Sequence, residues 1–111
     1  MQQAIATGIA LVYKSAYGRG PTKVTAHALP GAVVVVLEDV TTPAEAMLLE
    51  LGETDLVDTV HARLQRGLAP RLVAVVEDLT GRTVRSYVPG LDAANGTAVD
   101  TFLLAPAVAE A

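Results

Sequence analysis

Cysteine and tryptophan are absent from this 111-residue chain. Without thiols there is no disulfide framework and no thiolate zinc site, so packing alone must hold the fold. Only Tyr13, Tyr17, Tyr87 and Phe102 are aromatic, which removes the stacking platforms that single-strand nucleic-acid binders use. Charge is sparse as well: 12 acidic residues stand against 8 basic ones, a net charge of -4. With no basic stripe, attraction to a phosphate backbone is weak, and nucleic acid is excluded as the expected partner. The two histidines, His27 and His61, share no spacing that sets two ligands on one helical face, so no metal site is expected.

Long apolar runs are missing too. The longest, Ala32 to Leu37, falls far short of the roughly 20 residues of a membrane-spanning helix. The opening Met1-Gln2-Gln3 lacks the basic head of an export signal. The expectation is a cytoplasmic chain with no direct membrane insertion. No catalytic triad, phosphate loop or dinucleotide fingerprint is present, so no cofactor and no enzymatic activity are expected.

What the chain does have is apolar bulk. Apolar residues make up 51% and charged residues 18%, with a mean hydropathy of +0.42. That argues for one ordered domain, residues 1–106, with a frayed tail over 107–111, and for surplus apolar surface in a subunit contact, expected to be a homodimer.

Ile5, Ile9, Val12 and Ala16 recur at helical spacing, so a first helix runs from Gln3 to about Tyr17. Gly18, Gly20 and Pro21 end it. Thr22 to Leu29 alternates like a half-buried strand, Pro30-Gly31 turns the chain, and Ala32 to Leu37 reads as a central strand covered on both sides. Thr42-Pro43-Ala44-Glu45 is a capping box with proline at the first helical position. The short helix it starts carries Met47, Leu48, Leu49 and Leu51, more apolar directions than one core face requires, and is the candidate interface.

A third helical segment begins with Thr54 as cap and places Leu56, Val60, Leu64, Leu68, Leu72, Val75 and Leu79 at spacings of three and four. Gly67 and Pro70 predict a kink or a break within it, and Gly81 its end. Two strands, Thr83 to Val88 and Thr97 to Leu104, form a closing hairpin across a flexible loop from Pro89 to Gly96. The sum is an α+β fold in the order α-β-β-α-α-β-β: a four-stranded antiparallel sheet from two hairpins, helices mainly on one face. Sequential strands are the expected neighbours.

Arg19 and Lys23 bracket the Gly-Pro turn and, with the amides of Gly18 and Gly20, form a candidate anion-binding site. The structural reading carries more weight: a cation after a helix C-terminus offsets the dipole, and glycines there are ordinary terminators. Glu38-Asp39, Glu77-Asp78 and Asp92 with Asp100 read as solvated surface charge, with Arg82 compensating the pair at the helix end. Ser15 and Ser86 have no activating base nearby in sequence.

Four segments taken in order resemble one family: Tyr17-Gly18-Arg19-Gly20-Pro21, Thr42-Pro43-Ala44-Glu45, Glu77 to Val84 with its Leu79-Thr80-Gly81-Arg82 core, and Val99 to Leu104. Together they are similar to the Na+-translocating membrane potential-generating system MpsC family. The resemblance implies a small bacterial protein associated with a membrane system that moves cations or supports bicarbonate supply, with no catalytic residues of its own. With no spanning segment of its own, the chain is expected to serve as an accessory subunit, docking on a protein partner at a membrane complex.

Overall fold

A computed structural model describes residues 1–106; the tail expected over 107–111 lies outside the described residues. Helix α1 (Gln2–Tyr17) buries Ile5, Ala6, Ile9, Val12 and Tyr13 and ends at Gly18, whose φ of 80° is the left-handed angle a glycine adopts without strain. Strands β1 (Lys23–Leu29) and β2 (Ala32–Glu38) form the first hairpin. The capping box then starts α2 (Pro43–Glu50): Thr42 accepts from the Glu45 amide at 3.2 Å, and Glu45 accepts from the Thr42 amide at 3.0 Å.

Helix α3 spans Thr54–Thr80 without interruption. This corrects the expected break. Gly67 and Pro70 both face solvent, so the carbonyl that proline leaves unpartnered is open to water. The buried stripe Val57, His61, Gln65, Leu68, Leu72 and Val76 runs on past the proline and anchors both halves. The helix starts at Glu53 with no side-chain cap bond, so Thr54 is its first residue rather than its cap.

The closing hairpin joins β3 (Val84–Asp92) to β4 (Thr97–Leu104). The segment expected as a flexible loop is largely strand: Pro89, Gly90 and Leu91 pair with Asp100, Val99 and Ala98, and a single 3-10 turn at Ala93–Asn95 reverses the chain. Pro89 is tolerated because β3 is an edge strand.

The four strands are antiparallel in the order β1-β2-β4-β3. Both sequential hairpins form, but β2 pairs with β4, not β3: the chain leaves β2, crosses the sheet through α2 and α3, and returns at the far edge. The core lies between one sheet face and the helices, where Val33, Val35 and Leu37 of β2 meet Ile5, Ile9, Leu72, Val76 and Phe102. Strand β2 is central, as expected, yet only one of its faces is covered by helices. Its other residues, Ala32, Val34 and Val36, are half-buried.

Both glycine-arginine helix exits act as clamps. After Gly18, Arg19 donates to the Thr41 carbonyl at 3.0 Å and to Asp39 at 3.4 Å. After Gly81, with φ of 68°, Arg82 donates to the carbonyls of Pro30 at 2.6 Å and Ala105 at 2.8 Å. Arg82 therefore does not compensate Glu77, which instead accepts the Val84 amide at 2.8 Å.

Candidate functional site

Asp100 projects from β4 into the helix-covered side of the sheet and is fully buried. The surface charge expected there is thus a core carboxylate. Tyr13 of α1 donates to its Oδ2 at 2.7 Å and Tyr87 of β3 to its Oδ1 at 3.0 Å. Gln65 of α3 closes a ring: its Nε2 donates to the Tyr13 hydroxyl at 2.8 Å and to the Tyr87 hydroxyl at 2.9 Å. Tyr17 donates to Gln65 Oε1 at 2.6 Å. Each of the Tyr13 and Tyr87 hydroxyls gives one bond and takes one, so the ring satisfies its polar atoms.

Burial pushes Asp100 above the usual carboxylate range, and the two tyrosine hydroxyls, together with His61, pull the other way. Tyr13 and Tyr87 are raised above the ordinary phenol value, first by burial and then by the Asp100 charge. Burial, with Glu45 adding, also raises Tyr17. All three phenols stay protonated at neutral pH and act as donors.

The network continues outward through His61, which stacks on Tyr17 with ring centroids 5.6 Å apart and planes 9° apart. Its Nδ1 is buried, lies 3.6 Å from Glu45 Oε2 and has no hydrogen-bond partner among the described residues. A cavity of about 150 Å³ between α3 and β3 opens beside His61 and Gln65, with Asp58, Pro89 and Leu91 among its walls. Side chains from three helices and two strands thus meet in one polar cluster, which sets α1, α2 and α3 in a single register on the sheet. Sequence reasoning missed it because the expected apolar stripe ran through Leu56, Val60 and Leu64, which the structure leaves exposed, while the face turned inward carries Val57, His61 and Gln65. The legible signal was their spacing of four from Val57 and from each other.

Among the described residues no group of three or more His, Cys, Asp or Glu side chains could hold a metal ion. The proposed anion-site cations are each set against a carboxylate: Arg19 against Asp39 at 3.4 Å, Lys23 against Glu38 at 4.0 Å. Gly18 takes the left-handed angle, whereas Gly20 does not. Of the candidate interface residues on α2, Met47 and Leu51 are 64% and 70% exposed, and Leu48 and Leu49 are half-buried.

The second feature is the sheet face turned away from the helices. Alternation and strand register place its residues in rows running β1, β2, β4, β3. The row at one end is Lys23, Glu38, Thr97, Asp92. Next come Thr25, Val36, Val99, Gly90, then His27, Val34, Thr101, Val88. Leu29, Ala32, Leu103 and Ser86 form the other end. Lys23, Glu38 and Asp92 stand at one end, exposed Arg85 in the β3 bulge at the other, and the two central strands carry β-branched Val34, Val36, Val99 and Thr101 between them. Leu29, Val88 and Val99 are exposed, and no helix covers this face. Its footprint, four strands by seven residues, is roughly 450 Å².

Among the described residues no helix is long and apolar enough to cross a membrane. No curated protein and no solved structure gives a significant match. Residues 1–106 match the family described as Na+-translocating membrane potential-generating system (MpsC). The match takes in both glycine-arginine clamps, the capping box and every strand of the sheet, and the chain belongs to the MpsC family.

Proposed function

We propose that this chain is a non-enzymatic, cytoplasmic interaction module, an accessory subunit of the bacterial membrane system for which its family is named. The observation that carries this reading is the uncovered face of the sheet with valines at its centre. Burying such a face removes β-branched side chains from water at about 25 cal/mol per Å², and among the described residues no element lies over it. The polar cluster supports the same reading. Its tyrosines are held protonated, its amide is fully committed, and Asp100 lies beneath them out of reach of a substrate.

Light scattering on the purified full chain at micromolar concentration tests this. The module is expected to run well above the 11.5 kDa of one chain. A strict monomer would remove the argument from surplus apolar surface.

A further inference from the structure

We infer that the open sheet face is covered by a second copy of this chain, packed sheet on sheet about a two-fold axis that runs parallel to the strands between β2 and β4. This deepens the interaction reading above and rests on it.

Face-to-face packing of two identical sheets admits two in-plane two-fold axes, and the row pattern discriminates between them. An axis across the strands would bring the charged row of one copy onto the apolar end row of the other. Only Asp92 would then come near an opposite charge, Arg85 of the bulge, while Lys23 would lie on Leu29, and Glu38 on Ala32. An axis along the strands keeps each row against the same row of its mate and lays β1 over β3, β2 over β4. Lys23 then faces Asp92 of the second copy, opposite in sign, and the symmetry makes that pair twice.

Size is matched as well as charge. Under the same axis Ala32 meets Leu103 and Thr25 meets Gly90, small against large at both places, while Val36 meets Val99 beside the axis. Two faces of roughly 450 Å² give about 900 Å² of flat footprint before side-chain relief and rim are added, close to the about 1,000 Å² that a specific interface clears.

Sedimentation equilibrium on the full chain tests the axis through Lys23→Glu, Asp92→Lys and the double exchange, each checked by circular dichroism because Asp92 also accepts from the Asn95 amide at 3.4 Å and its side chain at 2.8 Å. Each single reversal sets like charges opposite one another twice. The dimer dissociation constant should therefore rise about tenfold or more, equivalent to about 1.4 kcal/mol, and the double exchange should recover most of it. Val99→Lys, at a position already 38% exposed in the single chain, should give a monomer with an unchanged far-UV circular dichroism spectrum. A dimer indifferent to both reversals and to Val99→Lys, yet broken by Leu51→Lys, overturns the sheet-face geometry and leaves the interaction reading standing. A wild-type monomer overturns the two-fold packing and leaves the accessory reading to a different partner protein.

Discussion

Removing the Tyr13 hydroxyl, by Tyr13→Phe, should be among the most damaging single-atom changes available to this protein. The side chain is 1% exposed, so the ring stays packed and no cavity opens. Two bonds disappear: the 2.7 Å donation to Asp100 and the 2.8 Å acceptance from Gln65. A hydrogen bond to a charged group contributes about 1.5–3 kcal/mol and a neutral one about 0.5–1.5 kcal/mol. Phenylalanine's greater apolarity returns a little, leaving a net loss of about 2–4 kcal/mol. At about 4–8 °C per kcal/mol for a domain near this size, the melting temperature should fall by at least about 8 °C. The pH dependence adds a second signature. Losing one donor lets burial push Asp100 higher still, so the penalty should be larger at neutral pH than in acid below the ordinary carboxylate range, where the carboxyl is protonated in both variants. Urea melts followed by circular dichroism, at one fixed protein concentration so that association does not intrude, read both effects. A phenylalanine variant within about 0.5 kcal/mol of wild type at pH 7 would refute the bonded ring.

Three further outcomes follow from the same geometry. Asp100→Asn should remove a pH-dependent component of stability. The folded value of Asp100 is raised, so its contribution is fully present below the ordinary carboxylate range and is lost as pH rises through the folded value. The stability advantage of wild type over the asparagine variant should accordingly shrink from acid toward neutral pH, and a difference flat in pH would contradict the buried carboxylate. Gly8→Ala should destabilise despite alanine's better helix propensity, because the new methyl would sit 2.7 Å from Val75 Cγ1 where α1 crosses α3. Overpacking of about 1–3 kcal/mol outweighs a propensity gain of about 1 kcal/mol, and pairing it with Val75→Ala should restore most of the loss in a thermal melt. Thr42→Ala should cost about 1 kcal/mol through the capping box, with hydrogen exchange rising first in α2.

Local signals gave the elements of this fold, and tertiary context decided what they do. Capping box, glycine stops and strand alternation mark α1, α2 and both hairpins directly in the residues. Pro70 was misleading because propensity weighs a proline by its own turn, whereas the buried stripe on the opposite side of α3 holds the helix through it. Pro89 and Gly90 read as loop residues, yet an edge strand accommodates a missing donor. The polar cluster was the least legible part. Its members lie far apart in sequence, from Tyr13 to Asp100, and only the β2–β4 pairing brings that carboxylate under α1 and α3. The open face was hidden for a related reason: Ala32 to Leu37 is apolar in every position, so its pattern cannot say which side the helices cover.

The account rests on the uncovered sheet face meeting its own copy. A mixture of isotope-labelled and unlabelled chains, examined by filtered NMR for contacts between molecules, tests this most directly. Contacts from the Val36 methyls of one copy to the Val99 methyls of another are predicted. Their absence, or contacts confined to Met47 and Leu51, would contradict it.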